Sequence, residues 1–120
     1  MILEALRDAI LPTISNTYIG EPPAHVRKCL AIRYWGGDQA TEHFGVSKPL
    51  QRQGVLMVSR GENFEEAAAF LETAQQFFHK YSDSENGIAA MFVRGNILYL
   101  GRSEEHVHEF QLLFKIIVKE

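Results

Sequence analysis

Apolar positions along the chain recur with two different periods, and the switches between them mark out the elements. Ile2, Leu3, Leu6, Ala9 and Ile10 form one face of a short first helix that stops near Pro12. Tyr18–Pro23, with two prolines after Gly20, predicts a loop on an extended path. Lys28–Trp35 alternates as a strand, with Leu30, Ile32 and Tyr34 on one face and Arg33 on the other. Gly36-Gly37-Asp38 breaks it, and Asp38–Pro49 follows as a polar segment expected to be a mobile loop. A second strand runs over Leu50–Ser59, densest in β-formers at Val55–Ser59, and turns through Arg60-Gly61.

A long helix comes next, with Phe64, Ala67, Ala68, Leu71, Ala74, Phe78 and Tyr81 spaced by three and four. Asn63 is placed as its N-cap, and Glu65 and Glu66 occupy the first turn, where a carboxylate favours the helix dipole. His79 and Lys80 are expected in its last turn, before stop signals at Ser82–Gly87. Ile88–Arg94 and Ile97–Leu100 read as two strands of a hairpin turning at Gly95-Asn96. Gly101–His106 is a charged turn. Val107–Lys119 is a long strand with Phe110, Leu112, Phe114, Ile116 and Val118 on one face. Its other face carries Glu109, Gln111, Lys115 and Lys119, interrupted by Leu113 and Ile117. The order α-β-β-α-β-β-β predicts an α+β fold: a mainly antiparallel sheet with about two helices packed on one side.

Composition narrows the class. At 120 residues the chain is expected to be a single domain, 1–120, large enough for a real core. Apolar content of 46% sets it apart from disordered chains, and a net charge of −3 gives no case for wrapping nucleic acid. Glu4, Arg7 and Asp8 make the N-terminus too charged for a signal peptide, and its apolar run is too short to span a bilayer. A lone cysteine, Cys29, excludes an internal disulfide and fits a reducing cytosol.

Candidate chemistry is sparse. His106 and His108 stand two apart at a strand start and could point together toward a metal, but no third or fourth ligand is recognisable. Cationic neighbours Arg27 and Lys28 could activate Cys29, whereas burial in a strand would make it inert. Gly36-Gly37 leads into a loop rather than a helix and so lacks the form of a phosphate cradle. Ser59 lacks the nucleophile-elbow pattern. No catalytic residue, metal or cofactor is assigned. Arg33, Arg52 and Arg60 emerge from strands and read either as contacts for a partner or as an ordinary solvated face. Leu113 and Ile117, apolar on the polar side of an edge or last strand, indicate a subunit contact, a second layer, or cover by the first helix.

The succession YIGEPP, CLAIRYWGG, a polar loop, QGVLMVSRGENFEEAAAFLETAQQF and LGRSEEHVHEFQLLF resembles the tail terminator proteins of long-tailed bacteriophages, many of them labelled minor capsid proteins. The matched pieces are Pro22-Pro23, Gly36-Gly37, Val58-Ser59-Arg60-Gly61, Leu100-Gly101-Arg102 and Glu109-Phe110, in family order from about Tyr18 to the C-terminus. The resemblance implies a non-enzymatic virion assembly protein, made in the host cytoplasm and placed at the head-proximal end of the tail. Relatives form a hexameric ring that binds the tail tube, stops its polymerisation and presents the docking surface for the head connector. Many relatives are monomers until they meet the tube. The implied partners are the major tail tube protein, the head–tail connector protein and further copies of the chain. Within that frame Arg33, Arg52, Arg60, Leu113 and Ile117 are candidate subunit or tube contacts. Asp38, Glu42, His43, Phe44 and Lys48 would belong to a loop that orders on docking. A stopper or completion protein of the same joint is the alternative, and a metal-dependent enzyme using His106 and His108 a more distant one.

Overall fold

The computed structural model of the chain describes residues 2–22, 26–35, 52–102 and 107–118. Nine elements follow in order: α1 (Ile2–Ile10), β1 (Thr17–Ile19), β2 (Cys29–Tyr34), β3 (Arg52–Gly61), α2 (Phe64–Phe78), β4 (Tyr81–Asp83), a 3-10 turn (Ser84–Asn86), β5 (Ile88–Arg102) and β6 (His108–Val118). The strands form one sheet in the order β1-β2-β3-β6-β5-β4, antiparallel except for the β1–β2 pair. Both helices pack on the same face, so the α+β expectation holds.

The alternation that predicted the strands also places the core. Leu30 and Ile32 of β2, Val55 and Met57 of β3, and Phe110, Leu112, Phe114 and Ile116 of β6 point to the helix side. Leu3, Leu6 and Ile10 of α1 and Ala67, Leu71, Ala74 and Phe78 of α2 close over them. Each fully buried Leu or Phe contributes about 2–3 kcal/mol. The α2 cap is as expected: Asn63 Oδ1 accepts from the backbone N–H of Glu66 at 2.7 Å. Gly61, at the end of β3, fits where the backbone of α2 comes close; a Cβ there would lie 2.7 Å from the Ala67 nitrogen. Ser59 Oγ, buried on the same face, donates to the Ala67 carbonyl at 2.7 Å and ties strand to helix.

Five expectations are corrected. β3 continues through Arg60 and Gly61 because both stay in register with β6, opposite Glu109 and His108. α2 ends at Phe78, so His79 and Lys80 lie beyond its last turn, with Lys80 in the left-handed region at φ 63°. Tyr81 then belongs to β4, not to the helix. Gly95-Asn96 turns no hairpin: β5 runs unbroken from Ile88 to Arg102 along β6. There Gly95, at φ 85°, sits in a bulge between the pairs Arg94–Leu113 and Leu98–Gln111. In that bulge β5 advances four residues while β6 advances two, which is how the extra length is absorbed. Finally, Gly101 and Arg102, expected in the charged turn, end β5 opposite Glu109 and His108, and β6, the last strand, lies between β3 and β5. The strands β1 and β4, three residues each, were not foreseen.

Candidate interaction face

Four of the residues singled out from the sequence, Arg33, Arg60, Leu113 and Ile117, meet on the face of the sheet turned away from the helices. Register decides this. Cys29 pairs with Arg60 and Arg60 with Glu109; Arg33 pairs with Leu56, Leu56 with Leu113, and Leu113 with Arg94. Ile117 stands opposite Ala90 on one side and in register with Arg52 on the other. Residues level across a ladder share a face, so Arg33, Arg60, Leu113 and Ile117 lie on one side with Arg94, and Phe92 joins them opposite Lys115. Cover of Leu113 and Ile117 by the first helix is therefore excluded, because α1 packs on the opposite face.

This face divides in two. Over β2 and β3 it is closed: Cys29 and Ala31 are buried, and so are Leu56 and Val58. Arg60 lies across this part, donating from Nη1 to the Val26 carbonyl and from Nη2 to Glu109 Oε2, both at 3.2 Å. Burial pushes the Cys29 thiol up, Arg60 partly offsets that, and Glu109 adds to it. A thiol held in its protonated form is a poor nucleophile, which argues against the activated reading of Cys29. Arg33 is also engaged within the chain, paired with Glu21 and set 5.5 Å from the ring of Trp35.

Over β5 and β6 the face opens. Phe92 is 40% exposed and Leu98 is 53% exposed, while Leu113 and Ile117 are half-buried beside them. Arg94, on the rim of the bulge, is exposed. Phe92, Arg94 and Leu98 were missed from the sequence, where they read as ordinary hairpin residues. The available signal was that Leu98 and Leu100, two apart, repeat an apolar side chain along the strand.

On the helix side, Phe64, Tyr99, His108 and Phe110 form an aromatic group at the start of α2, with Phe64–Phe110 and Tyr99–Phe110 centroids 4.9 Å apart. The Tyr99 hydroxyl and His108 Nδ1 are hydrogen-bonded at 2.7 Å. His108 is thus occupied by an aromatic neighbour; His106 lies outside the described residues. Among the described residues no group of three His, Cys, Asp or Glu could hold a metal ion. Asp38, Glu42, His43, Phe44 and Lys48 of the expected docking loop, and Gly36-Gly37, also lie outside them. No helix among the described residues is long and apolar enough to cross a membrane.

No family model matches the sequence, and no curated protein matches it either. Among solved structures, a chain from the "virion of native gene transfer agent (GTA) particle" superposes with a TM-score of 0.62. The match covers 96% of this chain and 84% of that one, at 11% sequence identity. At such low identity the likeness concerns the fold, and the two chains share it over almost their whole lengths.

Proposed function

We propose that this chain is a structural assembly protein of a phage-like virion, and specifically a tail terminator. In this reading it caps the tail tube as a ring, hexameric by resemblance, stops tube polymerisation and offers the surface on which the head connector docks. Its partners are the major tail tube protein, the head–tail connector protein and further copies of itself. It acts at the head-proximal end of the tail after assembly from the host cytoplasm, and it performs no catalysis.

One observation carries the reading: two of the ordered motifs fall at strand ends of a fold that is also found in a virion chain. Val58-Ser59-Arg60-Gly61 ends β3 where it meets α2, and Leu100-Gly101-Arg102 ends β5. The open β5–β6 side supports it too, because a ring needs contacts between different faces of one subunit. Ser59 and Cys29, the side chains nearest to a nucleophile, serve the fold instead: one donates to a helix carbonyl and the other is buried and protonated. A stopper or completion protein of the same joint is a second reading, favoured equally by the fold likeness, which does not distinguish components of a virion.

The test is electron microscopy of the purified protein mixed with tubes of the cognate major tail protein, beside tails grown without the gene. Rings at one end of the tube, and overlong tails in the deletion, are expected. Bare tube ends with normal tail length would overturn the terminator reading, and density at the head side alone would favour the stopper.

A further inference from the structure

We propose that the open β5–β6 side of the helix-free face receives the outer stripe of α2 from a second copy of the chain. The inference rests on the reading that copies of this chain assemble, and it names the two surfaces that meet. On the receiving side, Phe92, Leu98, Leu113 and Ile117 form the apolar ground, with Arg94 and Lys115 among them. Between Ala90 and Leu98 of β5, and between Gln111 and Ile117 of β6, there is no carboxylate.

The donor surface is its complement in charge. The solvent side of α2 runs Glu65, Ala69, Glu72 and Gln76, one residue per turn, with Phe77 exposed beside it. The helix contains no lysine or arginine. Glu66 is drawn toward Lys28 at 3.3 Å, whereas Glu65 and Glu72 point outward with no ion pair among the described residues. Ala69 at the centre of the stripe lets the helix backbone approach the sheet closely. A carboxylate row laid over the exposed Arg94, with Phe77 reaching the apolar ground, pairs unlike charges and covers exposed apolar area in one step.

The strand sequences give a second reason for a helix here. Sheets covered on both faces carry near-continuous apolar runs, whereas half-solvated sheets alternate. β6 reads Leu112-Leu113-Phe114 and Ile116-Ile117-Val118, apolar on both faces, yet α1 and α2 cover only one. A neighbouring α2 supplies the missing layer. The contact is heterologous, helix back to sheet front, so it propagates from copy to copy and closes into a ring when the rotation allows. A self-complementary pairing of two β5–β6 faces would instead bring exposed Arg94 residues together with no carboxylate of α2 between them, and like charges oppose it.

The experiment mixes two full-length variants, Ala69→Cys and Leu113→Cys, and oxidises them at low salt, free and on tail tubes. Cys29 is buried and stays out of the reaction. A disulfide-linked heterodimer is expected, absent when Glu4→Cys replaces Ala69→Cys. It should fall about tenfold in yield with Arg94→Glu or Glu72→Arg alone, and return when the two reversals are combined across the contact. Rings on tubes without the Ala69–Leu113 link would overturn this inference and leave the terminator reading standing. The link without any binding to tubes would do the reverse. Loss with both single reversals and no recovery in the pair would assign the sheet face to another occupant, such as the tube protein, and would also overturn it.

Discussion

The two faces of this sheet are built from the same strands, residue by residue in alternation, yet they meet opposite physical demands. The helix side is closed over its core by α1 and α2, and core side chains such as Leu6 and Phe114 are out of contact with water. The other side is closed only over β2 and β3, where an Arg60–Glu109 pair lies above a buried thiol, and it opens over β5 and β6. The difference shows that apolar content alone does not mark the core. Leu113 and Phe114 are neighbours in sequence, but one is sealed and the other is half-presented.

Truncating those neighbours breaks the comparison most sharply. Phe114 is fully buried, with its ring edge-on to Phe78 at 6.1 Å. Phe114→Ala should cost about 3–5 kcal/mol of unfolding free energy, from lost transfer and a cavity that rigid strands cannot close. Leu113→Ala should cost about 1 kcal/mol, since its side chain gives up less buried area. Urea denaturation of the two variants measures the gap. Equal losses would mean that the open side is as much a core as the helix side.

A smaller loss is expected from adding a single methyl group at the seam between sheet and helix. The Cβ of Gly61→Ala would meet Ala67 backbone atoms at 2.7 and 3.0 Å, and a helix backbone cannot swing aside as a side-chain tip can. The strand and α2 must part, at about 1–3 kcal/mol. The same substitution at Gly95, with nothing within 4 Å, strains only its left-handed backbone. Denaturation with tryptophan fluorescence follows both.

Much of this architecture was legible, and the physics says why. α1, α2, β2 and β6 carry regular periods, and α2 a capping residue besides, signals that survive without tertiary context. β1 and β4 are too short to show a period. Gly95-Asn96 supplied the chemistry of a hairpin turn, but the positive φ of Gly95 is used for a bulge, and only the pairing of β5 with β6 along its whole length reveals that. The interaction face was half legible. Arg33, Arg60, Leu113 and Ile117 could be named as unusual, but that they share a face depends on strand order, with β6 inserted between β3 and β5. Crossovers of that kind leave no local trace in a sequence.

Alkaline pH sharpens the contrast on the closed half of the helix-free face. An unfolded thiol ionises near pH 8.5, whereas burial raises that of Cys29 in the folded chain. Above the unfolded value, the unfolded state therefore binds fewer protons than the folded one, and stability falls as pH rises. Below it the contribution is fully present. Tyr81, raised by burial and then by Asp83, adds a loss of the same sign at higher pH. Cys29→Ala should remove the part of the decline that begins in the thiol range and leave the later part. An unchanged profile in urea titrations from pH 7 to 10 would show that Cys29 is already ionised or exposed.

The smallest effect on stability is expected where the consequence for assembly is largest. Phe92 is 40% exposed on β5, opposite Lys115, and sits outside the core. Phe92→Ser should leave unfolding free energy within about 0.5 kcal/mol, as surface substitutions away from special features do. Phe110→Ser, on the helix side, should destabilise strongly, because it places a hydroxyl among Phe64, Tyr99 and the core. If the open side exists to be covered by a neighbouring subunit, Phe92→Ser should fold normally and still fail to form rings on tail tubes. The decisive comparison is therefore between unfolding and ring counts for one protein. A variant that keeps both would leave the exposed phenylalanine without a role in assembly, and one that loses both would place it in the core after all.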